Sequence, residues 1–99
     1  EGGVDGDASA EVIRRKLGQI RYCYERQLSC NPDLYGKVLV KFNIVASGDV
    51  GEPKIDSSTM QSAMVEGCIL RRLSSWKFPL PKGGTVVKVS YPFLFKSLN

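Results

Sequence analysis

Asp33, Asp49, Glu52 and Asp56 are the side chains that could trade a proton, and all four fall in or near turns or a weak strand. Carboxylates are ordinary there. The chain has no histidine to pair with them, to activate a serine or to bind a metal. Gly48 and Gly51 read as turn glycines, because the spacing and helix-opening context of a phosphate loop are both missing. Tyr22 and Tyr24 beside Arg21 and Arg26 hint at base stacking, but helical phasing turns Tyr24 inward, so no nucleic-acid partner is expected. Arg14, Arg15, Arg21 and Arg26 form a basic helix surface, read as a solvated face with anion binding as the alternative. The expectation is a non-enzymatic chain without cofactor or metal.

Thiol chemistry is the next candidate. Cys23, Cys30 and Cys68 form neither a C-x-x-C pair nor a cluster with histidine, which argues against zinc. Cys23 and Cys30 lie on one helix with a rise of roughly 10 Å between them, too far for a disulfide. Cys23 with Cys68 is the favoured pair if the thiols are oxidised. Three reduced cysteines packed as small apolar residues is an equal reading of the residues themselves.

The remaining chemistry belongs to the backbone. Val87, Val89, Tyr91, Phe93 and Phe95 alternate with Lys88, Ser90 and Lys96, the pattern of a half-buried strand. Pro92 interrupts it, and a proline in a strand marks an edge or a bulge. An open edge can accept a strand from a partner.

The elements that must position this edge follow in order. Residues 1–8 are Gly-rich and acidic and read as the end of a linker, leaving 9–99 as one domain. The chain starts at Glu1 without an initiator methionine and reads as a piece or product of a longer protein. No apolar run approaches bilayer-spanning length. Net charge is +4, a modest basic excess that favours acidic partners without choosing among them.

Helix one is expected from Ser9 or Ala10 to about Ser29, capped by Ser9, with Ile13, Leu17, Ile20, Tyr24 and Leu28 on one face. Asn31-Pro32 stops it. Strand one spans Lys37 to Ala46, and Ser47-Gly48-Asp49 turns it into strand two, Val50 to Ser57. Gly51 and Pro53 weaken that strand, and a bulge is expected between Val50 and Ile55 if both face inward. Helix two follows the cap candidates Ser57-Ser58-Thr59 and runs to about Ser74. Val65, Ile69, Leu73 and Trp76 make its stripe, with Met64 and Cys68 beside it. Lys82-Gly83-Gly84 leads into the last strand.

Gly36 to Ile44, Gly48-Asp-Val50, Ile55 to Ser58, Val65-Glu66, Trp76 to Pro79 and Val87 to Phe95 together resemble the C-terminal domain of the TonB family. Ile20 to Leu28, Asn31-Pro32 and Val65 to Cys68 resemble its AgmX/PglI branch, associated with gliding motility in myxobacteria. The resemblance covers nearly everything after residue 10. It implies a periplasmic domain of an inner-membrane-anchored protein in a Gram-negative envelope, transmitting force or energy from an inner-membrane motor. It also implies an oxidising setting and cysteines matching Cys23 and Cys68, which favours that disulfide. The long basic first helix and the Cys23-Tyr24-Glu25 motif depart from TonB itself.

The expected fold is therefore α+β in the order α-β-β-α-β, a three-stranded antiparallel sheet with both helices on one face. The expected site is the last strand, at Thr85, Val86, Val87, Lys88, Val89, Ser90, Tyr91, Phe93 and Leu94. It would receive an extended peptide of an outer-membrane or periplasmic protein. A strand-paired homodimer through the same edge, and envelope-anion binding by the four arginines, are the alternatives. No membrane insertion of the domain is expected.

Overall fold

The spacing of Ile13, Ile20 and Tyr24 becomes the buried flank of α1 (Ala8–Glu25) in the computed structural model, which describes residues 8–97. Ala8 is already helical, so Ser9 lies inside α1 and is not its cap. Residues 1–7 of the expected linker lie outside the described residues. At the other end α1 stops at Glu25, earlier than its stripe implies. Gln27 and Leu28 donate to the carbonyls of Tyr24 and Glu25, at 3.0 and 3.1 Å, so the last turns tighten to i−3 bonding before Pro32.

The sheet has the order β2-β1-β3, with β1 (Gly36–Ile44) central and antiparallel to both β2 (Val50–Ser58) and β3 (Val87–Phe95). Val38, Val40, Phe42 and Ile44 of β1 are buried, as are Val89, Phe93 and Phe95 of β3. They form one core with Ile13, Ile20 and Tyr24 of α1 and Val65, Ile69 and Leu73 of α2 (Ala63–Ser74). Lys37, Lys41, Lys88, Ser90, Pro92 and Leu94 are exposed, most of them on the open face. The expected α+β fold is the one observed.

The start of α2 corrects one expectation. Its cap is Ser62, whose Oγ accepts from the Val65 N–H at 3.2 Å. Ser57 and Ser58 instead belong to β2, and Thr59 Oγ1 accepts from the Lys37 N–H at 2.9 Å. Met64, expected beside the stripe, is exposed, whereas Met60 from the preceding loop is buried. Trp76 lies beyond the helix end. It is buried, and its indole N–H donates to Gln19 Oε1 of α1 at 2.9 Å.

Two links tie these layers together. A disulfide joins Cys23 of α1 to Cys68 of α2 with Cα atoms 5.6 Å apart, while Cys30 is free and exposed. The β1–β2 turn is held by the chain leaving α2, where the Phe78 N–H donates to the Gly48 carbonyl at 2.9 Å. Asp49 pairs with Lys77. The hydrogen bond from Lys77, then that from Ser47, holds the Asp49 carboxyl below the usual carboxylate range. No helix among the described residues is long and apolar enough to cross a membrane.

Candidate functional site

Both outer strands offer a free edge, but they are not equivalent. The β1–β2 ladder shifts register twice, between Leu39 and Val40 and between Lys41 and Asn43. The second shift is the bulge expected between Val50 and Ile55; it holds Pro53, and Glu52 at φ 51°. Such irregularities twist an edge and interrupt any further pairing. The β3 ladder, by contrast, is continuous from Gly36↔Phe95 to Ile44↔Val87. Of the expected site, Val87, Lys88, Val89, Ser90, Tyr91, Phe93 and Leu94 lie in this ladder, together with Pro92 and Phe95. Thr85 and Val86 precede it, after a short 3-10 turn at Lys82–Gly84, so they belong to the approach and not to the edge.

Pro92 fixes which backbone groups face outward. It stands opposite Leu39 within unbroken pairing. Antiparallel pairs alternate between those that exchange both hydrogen bonds and those that exchange none, and proline has no N–H to exchange. Leu39↔Pro92 is therefore a pair of the second kind. Tyr91 and Phe93 then bond to β1, and by alternation so do Val87, Val89 and Phe95. Lys88, Ser90 and Leu94 present both N–H and C=O to the open edge, and Pro92 presents C=O alone.

A groove of about 340 Å³ runs between α1 and the C-terminal half of β3. Leu17, Ile20, Arg21 and Leu28 line one wall and Tyr91 to Lys96 the other. Tyr24 holds the walls in place. Its ring stacks on Phe95, and its hydroxyl meets the carbonyls of Leu34 and Lys96. Burial, and then the charge of Glu25, raise its pKa above the ordinary tyrosine value.

The four arginines do not converge. Arg14 and Arg15 both pair with Glu11, at 2.7 and 3.7 Å. Arg26 lies over the exposed Tyr22 ring at 5.6 Å, and Arg21 lines the groove. Asp33, Glu52 and Asp56 are exposed, and Asp56 pairs with Lys41 at 3.5 Å. Among the described residues no group of acidic or cysteine side chains could hold a metal.

No family model and no curated protein matches this sequence. Solved structures do. The shorter of two Helicobacter pylori TonB C-terminal domain structures superposes with a TM-score of 0.65 at 22% identity, covering 89% of this chain and 96% of that one. The fold is TonB C-terminal-like. The corresponding Pseudomonas aeruginosa domain gives 0.60 at 23% identity over 77% of this chain and 78% of its own. The longer Helicobacter pylori structure gives 0.55 at 20% identity, with 93% and 96% covered.

In this TonB-like frame β3 is an outer strand, as its proline signals, whereas the groove beside it has no comparable mark in the sequence. Leu17 and Leu28 have the spacing of core-stripe residues, yet both are only partly buried. The signal was the length of the apolar stripe, which continues to Leu28 beside a strand that remains an edge.

Proposed function

We propose that this domain is a non-enzymatic, protein-binding adaptor of the bacterial envelope that captures an extended peptide as a fourth strand along β3. The observation that carries the reading is the continuous β3 ladder, set against the twice-bulged ladder of β2. Outward N–H and C=O groups from Lys88 to Leu94 supply the pairing, and outward side chains such as Lys88 and Ser90 tune it. The TonB-like fold supports a periplasmic setting and a partner in the outer membrane or periplasm. In this reading the parent chain passes force from an inner-membrane motor. The sequence resemblance to the AgmX/PglI branch favours gliding motility as the process served.

The test is one proline variant. Ser90→Pro removes an outward N–H and spares the bonds to β1, so the domain stays folded and loses the peptide. A folded Ser90→Pro domain that still captures the same envelope segment with unchanged affinity contradicts strand addition at β3.

A further inference from the structure

We propose that the open face of the sheet, where Lys41, Lys54 and Lys88 meet, is a binding site for a phosphate group. The proposal is independent of strand addition, because these side chains stand on the face of the sheet and not along its edge. Directly opposite residues on antiparallel strands share a face. Lys41 of β1 stands opposite Lys54 of β2 on one side and Ser90 of β3 on the other. Asn43, two residues on, stands opposite Lys88. Their neighbours Phe42 and Val89 are buried, so Lys41, Asn43, Lys54, Lys88 and Ser90 project together, away from both helices.

The second bulge in β2 builds this arrangement. If the pairing that starts at Ile44↔Val50 and Asn43↔Gly51 ran on without a shift, Pro53 would stand opposite Lys41. The extra residue puts Lys54 there instead. Bulges re-aim side chains in this way next to functional sites. Like charges directly opposite one another weaken a sheet, so the Lys41↔Lys54 pair does not serve the stability of the fold. Asp56 offsets it in part, with its Oδ1 3.5 Å from Lys41 Nζ. Lys54 and Lys88 have no ion-pair partner among the described residues.

These residues line a hollow of about 540 Å³, with Glu52 as the one carboxylate in its lining. Gly51, opposite Asn43, adds no side chain to it. Ammonium groups reach the hollow from all three strands, and the Asn43 amide and Ser90 hydroxyl add neutral donors between them. Neighbouring strands lie about 4.8 Å apart, so Lys54 and Lys88 approach a bound group from opposite flanks. A phosphate offers acceptor oxygens in several directions at once, which suits donors on three strands. A planar carboxylate, with two oxygens, engages fewer of them. Three lysines against Glu52 leave the lining positive. The four arginines of α1 lack this convergence.

The test titrates the domain with inorganic phosphate and glycerol 3-phosphate, against acetate and chloride at matched ionic strength, following the Lys41, Lys54 and Lys88 amides by NMR. The two phosphates should give saturable shifts that acetate and chloride do not. Lys54→Gln and Lys88→Gln should each weaken binding about fivefold, the effect of losing one solvated charge about 4 Å away. Glu52→Gln should tighten it. Lys54→Gln removes a like-charge pair and should fold at least as stably as the wild type, so its lost binding is not lost fold. Sedimentation with phosphatidylcholine vesicles, with and without phosphatidic acid, then separates the two sources of phosphate. Sedimentation that needs the acidic lipid and is reduced in Lys54→Gln identifies a lipid headgroup; none identifies a soluble phosphate ester. Equal shifts with acetate or chloride overturn the proposal. So does a response that neither lysine variant moves, or vesicle binding without any response to soluble phosphate.

Discussion

Tyr24 and Phe95 lie stacked with ring centroids 4.9 Å apart, joining the C-terminal part of α1 to the end of β3. The Tyr24 hydroxyl continues the link to the Lys96 carbonyl at 3.0 Å. Tyr24→Phe keeps the ring and removes the hydroxyl, leaving the Leu34 and Lys96 carbonyls without this donor. Chemical denaturation should show a loss of about 1–2 kcal/mol. Because the folded pKa of Tyr24 is raised, its contribution is whole below about pH 10, the unfolded value, and is lost as pH rises past it. The wild type should therefore lose stability in alkali more steeply than Tyr24→Phe.

The Cys23–Cys68 bond closes a loop with a sequence separation of 45. In the chain-entropy model such a loop contributes on the order of 4 kcal/mol. Reduction, or Cys23→Ala with Cys68→Ala, should lower the thermal midpoint strongly. Cys30→Ser should leave it unchanged, since Cys30 is exposed and unbonded. Differential scanning calorimetry with and without reductant reads both.

Gly48 adopts φ 87°, and a Cβ there would lie 2.3 Å from the Phe78 carbonyl oxygen. Gly48→Ala should destabilise the fold by about 1–3 kcal/mol through backbone strain and displacement of the chain after α2. Urea unfolding measures the loss, and NMR shifts at Trp76 and Phe78 should report its location.

A proline at Val89 should behave unlike one at Ser90. The Val89 N–H bonds to β1 by the alternation that Pro92 imposes, so Val89→Pro breaks the ladder itself and should cost several kcal/mol, on the order of 3 or more. Circular dichroism should show lost structure in Val89→Pro and a native spectrum in Ser90→Pro.

The order of elements, the antiparallel sheet and the buried face of β1 were legible because strict alternation at Val38, Val40, Phe42 and Ile44 admits one reading. The bulge in β2 was legible for the same reason, since Val50 and Ile55 break that alternation. The start of α2 was not. Ser57, Ser58, Thr59 and Ser62 all suit a cap, and only tertiary pairing of Thr59 with Lys37 decides among them. The cysteine pairing needed the placement of α1 beside α2, which periodicity leaves open. The groove needed both walls at once, because Leu17 and Leu28 look like core residues until the edge beside them is seen to remain uncovered.

Hydrogen exchange at the outward amides of β3 tests the central claim most directly. In the free domain Lys88, Ser90 and Leu94 should exchange fast, while Val89, Tyr91 and Phe93, bonded to β1, exchange slowly. A bound envelope peptide should slow all three outward amides and leave the β2 edge unchanged. Protection that appears instead on β2, or on neither edge while the peptide remains bound, contradicts strand addition at β3.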